Sequence, residues 1–316
     1  MRVHYNAPRN PRHEIVRAYL EKAGIFEQVA LALNSLLRFP RLVMIEWRDC
    51  GIANAFWEPK SGRIILCYEL VEDLDAMFGR VLRDNARRRS AVMSAIVFSF
   101  LHEFGHGAIA TFKLPAVGRE EDAVDQLAAL FLIAAGGKDG GTVAMFGAEF
   151  FHLLAQADHR QQYFDEHSLD DQRFYNVLCL VFGSDPQRYA WMVGDAGLPV
   201  SRARRCPAEY AKLSAAWEAL LKDYMRTSLS EVTASQRTTN TCEGAANHVL
   251  AILSERWRIE MSNADPTDAA RSRARIDQLV AAIHQQCRAR RWPVASISCV
   301  ERALSIPAIE KCNVLQ

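Results

Sequence analysis

No run of about eighteen apolar residues occurs in the 316-residue chain, so the sequence predicts no membrane span. The stretch from Met1 to Arg12 lacks the apolar core of a signal peptide. Charge of one sign is lacking too: 38 Lys and Arg against 37 Asp and Glu leave a net charge of +1. That balance excludes the basic footprint of a nucleic-acid partner. There is no internal repeat and no low-complexity tract, which excludes solenoids and arrays. No Cys-x-x-Cys pair is present, so neither a thiolate zinc site nor a dithiol redox motif is expected.

What is present begins with eight cysteines: Cys50, Cys67, Cys179, Cys206, Cys242, Cys287, Cys299 and Cys312. An even set, half of it crowded beyond Thr241, fits disulfides in an oxidising compartment, hence a periplasmic or secreted protein given in mature form. The alternative is free buried thiols in a cytoplasmic protein. Spacing does not decide among about a hundred connectivities. Cys50 with Cys67 and Cys179 with Cys206 are put forward as unproven pairings.

The chemistry lies in His102-Glu103-x-x-His106, inside an apolar helical stretch. On an α-helix, residues four apart lie about 6 Å apart on one face, so both imidazoles can turn toward one metal ion. Zinc is the natural occupant, since a catalytic zinc takes three protein ligands and leaves a position for water. Glu103 sits beside that face, where a carboxylate can take a proton from the water. With nine histidines in the chain, such spacing arises by chance on the order of one or two per cent of the time.

A second stretch follows the connector Lys113-Leu114-Pro115-Ala116-Val117-Gly118. Pro and Gly there end one helix, and Arg119-Glu120-Glu121-Asp122 opens the next. An antiparallel helical hairpin would return Glu121 and Asp125 toward the histidines. Glu121 then serves as third ligand, ahead of Glu120 and Asp122, and Asp125 accepts the ring N–H of a ligating histidine. Acids in a first turn also complement the helix dipole. That explanation does not reach Asp125, deeper among Ala123, Val124, Leu127 and Ala128.

His102-Glu103-x-x-His106 followed by Glu121-x-x-x-Asp125 resembles the gluzincin pattern of two histidines and a glutamate. The wider run Cys50-Gly51-x-x-Asn54-Ala55-Phe56-Trp57, Leu66-Cys67-Tyr68-Glu69-Leu70 and Gly118-Arg119-Glu120-Glu121-Asp122 resembles bacterial metallopeptidases catalogued as a domain of unknown function. The resemblance covers roughly residues 40–225 and implies a zincin-like fold and a zinc site, with no particular substrate. The metzincin arrangement fails, because its third histidine would fall at Phe112.

Elsewhere, Ile15, Tyr19, Leu20, Ile25, Val29, Leu31, Leu33, Leu36 and Leu37 predict one helix over 13–38. Leu42–Trp47 reads as a strand, and Ala53–Trp57 with Arg63–Tyr68 as a hairpin around Pro59-Lys60-Ser61-Gly62. This small sheet could offer an edge strand to an extended peptide or simply cap the core. Glu69–Arg83 predicts a helix, Arg87–Arg89 a solvated turn, and Ala91–Phe112 the central helix. Ala95 and Ser99 would leave room for a cleft. Gly105 and Gly107 cost about 1 kcal/mol each in a helix, which either admits a neighbouring element or marks fraying.

Further helices are predicted at Thr142–Asp158, Asp171–Phe182, Pro186–Asp195 and Ala208–Arg226. His152, His159 and His167 are of a kind more often found in surface or core positions. His167 is retained because it lies in the polar stretch Asp165–Tyr175, where it and Tyr175 could donate a hydrogen bond to an oxyanion.

The expected architecture is α+β and mostly α: a zincin-like domain over 1–227 with a small sheet before the active-site helix, a polar linker over 228–241, and a helical cysteine-containing module over 242–316. The expected activity is zinc-dependent peptide hydrolysis, with His102, His106 and Glu121 as ligands, Glu103 as base, Asp125 behind the ligands, and His167 and Tyr175 as oxyanion donors. A peptide or protein is the substrate. The competing expectations are a zinc-stabilised, non-catalytic binding module and a metal-dependent amidase acting on cell-wall peptides.

Overall fold

The computed structural model describes residues 1–136, 140–157, 166–194, 197–226 and 265–293, with isolated positions beyond 241. His159 and the expected linker over 228–241 lie outside the described residues. The chain forms two compact units, Met1–Thr233 and Ala234–Gln316.

The first unit is α+β, mostly helical, with one small sheet. Its strands are β1 (Arg2–Tyr5), β2 (Met44–Arg48), β3 (Ala55–Glu58) and β4 (Arg63–Cys67), in the order β1-β2-β4-β3. β1 and β4 both run parallel to β2, while β3 is antiparallel to β4. Ile64, Ile65, Leu66 and Cys67 are all fully buried, because β4 is covered on both faces. β1 was not anticipated: four residues with Arg2 and His4 alternating carry too little apolar signal. It is fixed by pairing, with the Arg2 N–H donating to the Val43 carbonyl at 3.1 Å and Asn6 to Trp47 at 2.9 Å.

The helix expected over 13–38 is two helices, α1 (Pro11–Ala23) and α2 (Ile25–Leu36). Gly24 separates them at φ 61, a left-handed conformation that costs glycine nothing, and its N–H closes on the Leu20 carbonyl. α3 is Tyr68–Gly79 and α4 is Asn85–Phe112. Arg87–Arg89 thus belong to the start of α4 rather than to a turn: Asp84 caps it by accepting from the Arg87 N–H at 2.6 Å. Arg88 Nε lies 2.9 Å from Asp75.

By length and composition α4 is apolar enough to cross a membrane, with mean hydropathy 1.3, yet 78% of that window is buried in the structure. It is the central core helix. His102 and Glu103 interrupt its apolar run, which is why a count of consecutive apolar residues passes over it. Ala95 is fully buried and opens no cleft, and Ser99 Oγ donates back to the Ala95 carbonyl at 3.0 Å.

α5 (Glu120–Ala135), α6 (Gly140–Ala157), α7 (Asp170–Ser184), α8 (Val200–Ala203) and α9 (Cys206–Leu221) complete the unit. The helix expected at Pro186–Asp195 is not formed; a 3-10 turn at Ala190–Met192 replaces it. Here the chain folds back, pairing Val193 with Leu198, and buried Tyr189 packs on Gly141 of α6. Disulfides Cys50–Cys67 and Cys179–Cys206 tie the end of β4 to the loop after β2, and α7 to α9.

In the second unit, α10 (Pro266–Arg290) is capped by Asp265 and buries Ile283 and Cys287 with Val249, Trp292, Ile297, Val300 and Cys312. Val280, Ile283 and Cys287 recur at helical spacing, so one stripe makes the contact. Disulfides Cys242–Cys287 and Cys299–Cys312 staple this small core, which alone buries little.

Candidate metal centre

Lys113, in the left-handed conformation at φ 54, ends α4 and turns the chain back, so α5 runs antiparallel along it. The contact is close because of one glycine. A Cβ at Gly105 would stand 2.6 Å from Cβ of Val124, and one at Gly107 would meet the Trp57 ring at 3.0 Å. The two glycines therefore admit α5 on one side of the histidines and β3 on the other. Gly105→Ala is expected to cost about 1–3 kcal/mol by overpacking and to weaken metal binding, because α5 must shift. A titration showing wild-type metal affinity and melting temperature would refute this.

His102, His106 and Glu121 converge, each offering a ligand atom within 4.8 Å of the others. His102 Nδ1 lies 2.7 Å from Asp125 Oδ1, and His106 Nδ1 lies 2.8 Å from Glu120 Oε1. With a carboxylate at each Nδ1, the neutral tautomer that these contacts favour carries its proton on Nδ1 and leaves the Nε2 lone pair for a metal ion. Those lone pairs point at one carboxylate: His102 Nε2 is 3.1 Å from Glu121 Oε2 and His106 Nε2 is 3.3 Å from Oε1. Glu121 Oε2 is buried and stands within 3.1 Å of two imidazole nitrogens, His102 Nε2 and His167 Nε2. Two imidazole lone pairs and a carboxylate in mutual contact repel unless a cation stands among them. The donor set of two imidazoles and one carboxylate suits a borderline divalent metal ion.

Protonation is the only other relief, and the electrostatics show the demand for positive charge. Burial works against a charged His106, but Glu121 and Glu120 outweigh it and lift its pKa to about 9. Burial would likewise raise the Glu121 carboxyl, but the three histidines around it hold it well below the usual range.

Glu103 is not among the converging ligands. Its Oε2 accepts the Trp57 backbone N–H at 2.7 Å, where β3 forms the sheet edge beside α4. Burial pushes this carboxyl above its usual pKa, which suits a group that must take up a proton.

His167 joins the cluster. Its Nε2 is 3.0 Å from Glu121 Oε2, and its ring stacks toward His102 with centroids 6.2 Å apart. The start of α5 holds the His167 segment: Arg119 Nη1 donates to the His167 carbonyl at 3.3 Å and Ser168 Oγ to Asp122 Oδ1 at 2.6 Å. Asp122 thus grips the loop, which separates its role from that of Glu121. Tyr175 is not brought to the cluster. Its ring packs on Phe174, and it lines an adjacent open hollow with Ser168, Asp171, Asn176 and Arg202. His152 stacks on Phe174 and lies 3.4 Å from Asp171.

Three participants escaped the sequence reading: Glu120 behind His106, the Trp57 amide behind Glu103, and Arg173 behind Asp125. None has a local signal, since each partner is distant along the chain or indistinguishable from neighbouring acids. Two other groupings of potential ligands among the described residues are already engaged. Cys50 and Cys67 are joined in a disulfide, Glu69 accepts the Cys50 and Gly51 amides, and Asp49 accepts from His13.

The cluster brings together three groups able to hold a metal ion, beside a carboxylate that is not one of them. The chain belongs to the family described as "Putative metallopeptidase" (DUF4344), whose model matches residues 5–221. At that coarse level it stands among metal-dependent peptidases. No curated protein and no solved structure matches it.

Proposed function

We propose that the protein is a zinc-dependent peptidase that hydrolyses peptide bonds of protein or peptide substrates. The observation that carries this reading is Glu103: a purely structural metal site has no use for a half-buried carboxylate held beside the ligands but outside them. His102, His106 and Glu121 hold the ion, and Asp125 and Glu120 orient the two imidazoles. Zinc bound there supplies Lewis acidity, lowering the pKa of water toward about 7 and polarising a carbonyl. Glu103 accepts the proton of the attacking water and delivers it to the leaving amine nitrogen. The Trp57 amide steadies Glu103 for both transfers. β3 is the edge strand beside Glu103, the place in the sheet from which an extended substrate would be held.

The test is a diverse peptide library, including cell-wall stem peptides, digested by the zinc-loaded protein and read by mass spectrometry. Cleavage that disappears on chelation and returns with zinc supports the reading. Intact peptides throughout sink it in favour of a zinc-stabilised binding module.

His167 is assigned as the donor that meets the oxyanion formed when water attacks the carbonyl. Removing such a donor costs about 3–4 kcal/mol of transition-state stabilisation. His167→Ala should therefore lower kcat roughly a hundredfold to a thousandfold with little change in KM or zinc content. Tyr175→Phe, altering the neighbouring hollow, is expected to keep near-normal kcat. Unchanged kcat in His167→Ala would move the donor elsewhere.

Four disulfides support an oxidising compartment, and we take the protein to work in the periplasm or outside the cell. Mass spectrometry of protein from its host, with and without alkylation, should show no free thiols, and reduction should lower the melting temperature. Eight alkylatable thiols would overturn the assignment.

A further inference from the structure

Arg173 is the charged residue of α7 that reaches toward the centre without touching the converging ligands. Its Nε donates to Asp125 Oδ2 at 2.7 Å and its Nη2 to Asp125 Oδ1 at 3.0 Å, a two-pronged grip on both carboxylate oxygens. Its guanidinium lies 3.8 Å from the Phe151 ring centroid, which seats it from α6. The side chains of Arg173 and Asp125 are 10% and 8% exposed. From Asp125 the line continues through the 2.7 Å contact to His102 Nδ1.

We propose that Arg173 is the positioning residue that sets the direction of His102 Nε2, and with it the affinity for the metal, by locking Asp125 from behind. The inference rests on the assignment of His102 as a metal ligand. A carboxylate bonded only to an imidazole can rotate about its own side-chain torsion and carry the imidazole with it. Two parallel bonds from a planar guanidinium remove that freedom. The grip also supplies the countercharge that a buried carboxylate needs when the imidazole in front of it is neutral and bound to metal.

The two histidines are held unequally. His106 rests on Glu120, whose side chain is 44% exposed, whereas His102 rests on a carboxylate clamped inside the protein. The geometry therefore makes His102 the rigid anchor of the site and routes its control to α7, 48 residues along the chain from Asp125.

The experiment compares zinc affinity of the wild-type chain, His102→Ala, Arg173→Lys and Arg173→Ala by competition with a chromophoric chelator at neutral pH. Melting temperature of the metal-free forms and the visible spectrum of the cobalt-substituted forms are recorded alongside. Arg173→Lys keeps the charge and loses the fork, so zinc affinity should fall by about 10–100-fold and the cobalt bands should shift. Methylguanidinium at millimolar concentration should restore affinity to Arg173→Ala, an effect that a residue of purely structural role would not show.

Wild-type affinity and an unchanged cobalt spectrum in Arg173→Lys would overturn the proposal. So would a general loss of folding in both variants, which would make Arg173 a stability element. If the wild-type chain binds zinc and His102→Ala binds equally well, the ligand assignment itself fails. That outcome differs from a failure confined to Arg173.

Discussion

Glu103→Gln should bind zinc as the wild type does and hydrolyse no peptide at a useful rate. The amide has the size of the carboxylate and still presents an oxygen to the Trp57 N–H, now 2.7 Å from Glu103 Oε2, so the packing of α4 against β3 should survive. What it loses is the capacity to take up a proton. General base catalysis contributes on the order of a hundredfold to ten-thousandfold, and kcat should fall by at least that much. Zinc content, melting temperature and KM should be almost unchanged, because the substitution removes an interaction realised only in the transition state. Measurement of kcat on a peptide found by the library, with zinc determined on the same sample, decides it. Near-normal kcat in Glu103→Gln would dismiss Glu103 as the base, and loss of zinc would place it among the ligands.

Glu121→Ala should lose the metal. Among the described residues Glu121 is the only carboxylate facing both Nε2 atoms, at 3.1 and 3.3 Å, while Glu120 and Asp125 face the opposite ring nitrogens. Without it two imidazoles remain, and two ligands do not hold zinc in a site of this kind. The wild-type melting temperature should rise when zinc is added, since a ligand that binds only the folded form stabilises it by mass action; that of Glu121→Ala should not move. Asp125→Asn should be intermediate, with affinity lowered by about 10–100-fold, because the orienting partner of His102 is weakened and not removed from the ligand set. Full zinc occupancy in Glu121→Ala would transfer the third ligand to another residue.

Local features of the centre were legible before any fold was known. His102 and His106 share a helix face by spacing alone, and so do Glu121 and Asp125. Gly105 and Gly107 stood out as costly residues in a helix, and the costs are explained by Val124 and Trp57 pressed against them. The boundaries read less well. Gly24 splits a periodic stretch into two helices because a single left-handed residue redirects the chain without altering the apolar pattern on either side.

By itself the sequence determined the two-histidine face, its neighbouring glutamate, the acidic opening of α5 and the even cysteine set, because each depends on helical geometry or on counting within a short segment. Only the tertiary structure decided which acid does what. Glu120, Glu121 and Asp122 are consecutive and chemically alike, yet one orients His106, one faces both imidazoles and one grips Ser168. It likewise decided that His167 enters the site while Tyr175 faces a neighbouring hollow, and that Arg173 stands behind Asp125. These assignments join residues on different helices. They depend on how α4, α5 and α7 pack, which is settled by close contacts such as Gly105 on Val124 and not by any spacing along one segment.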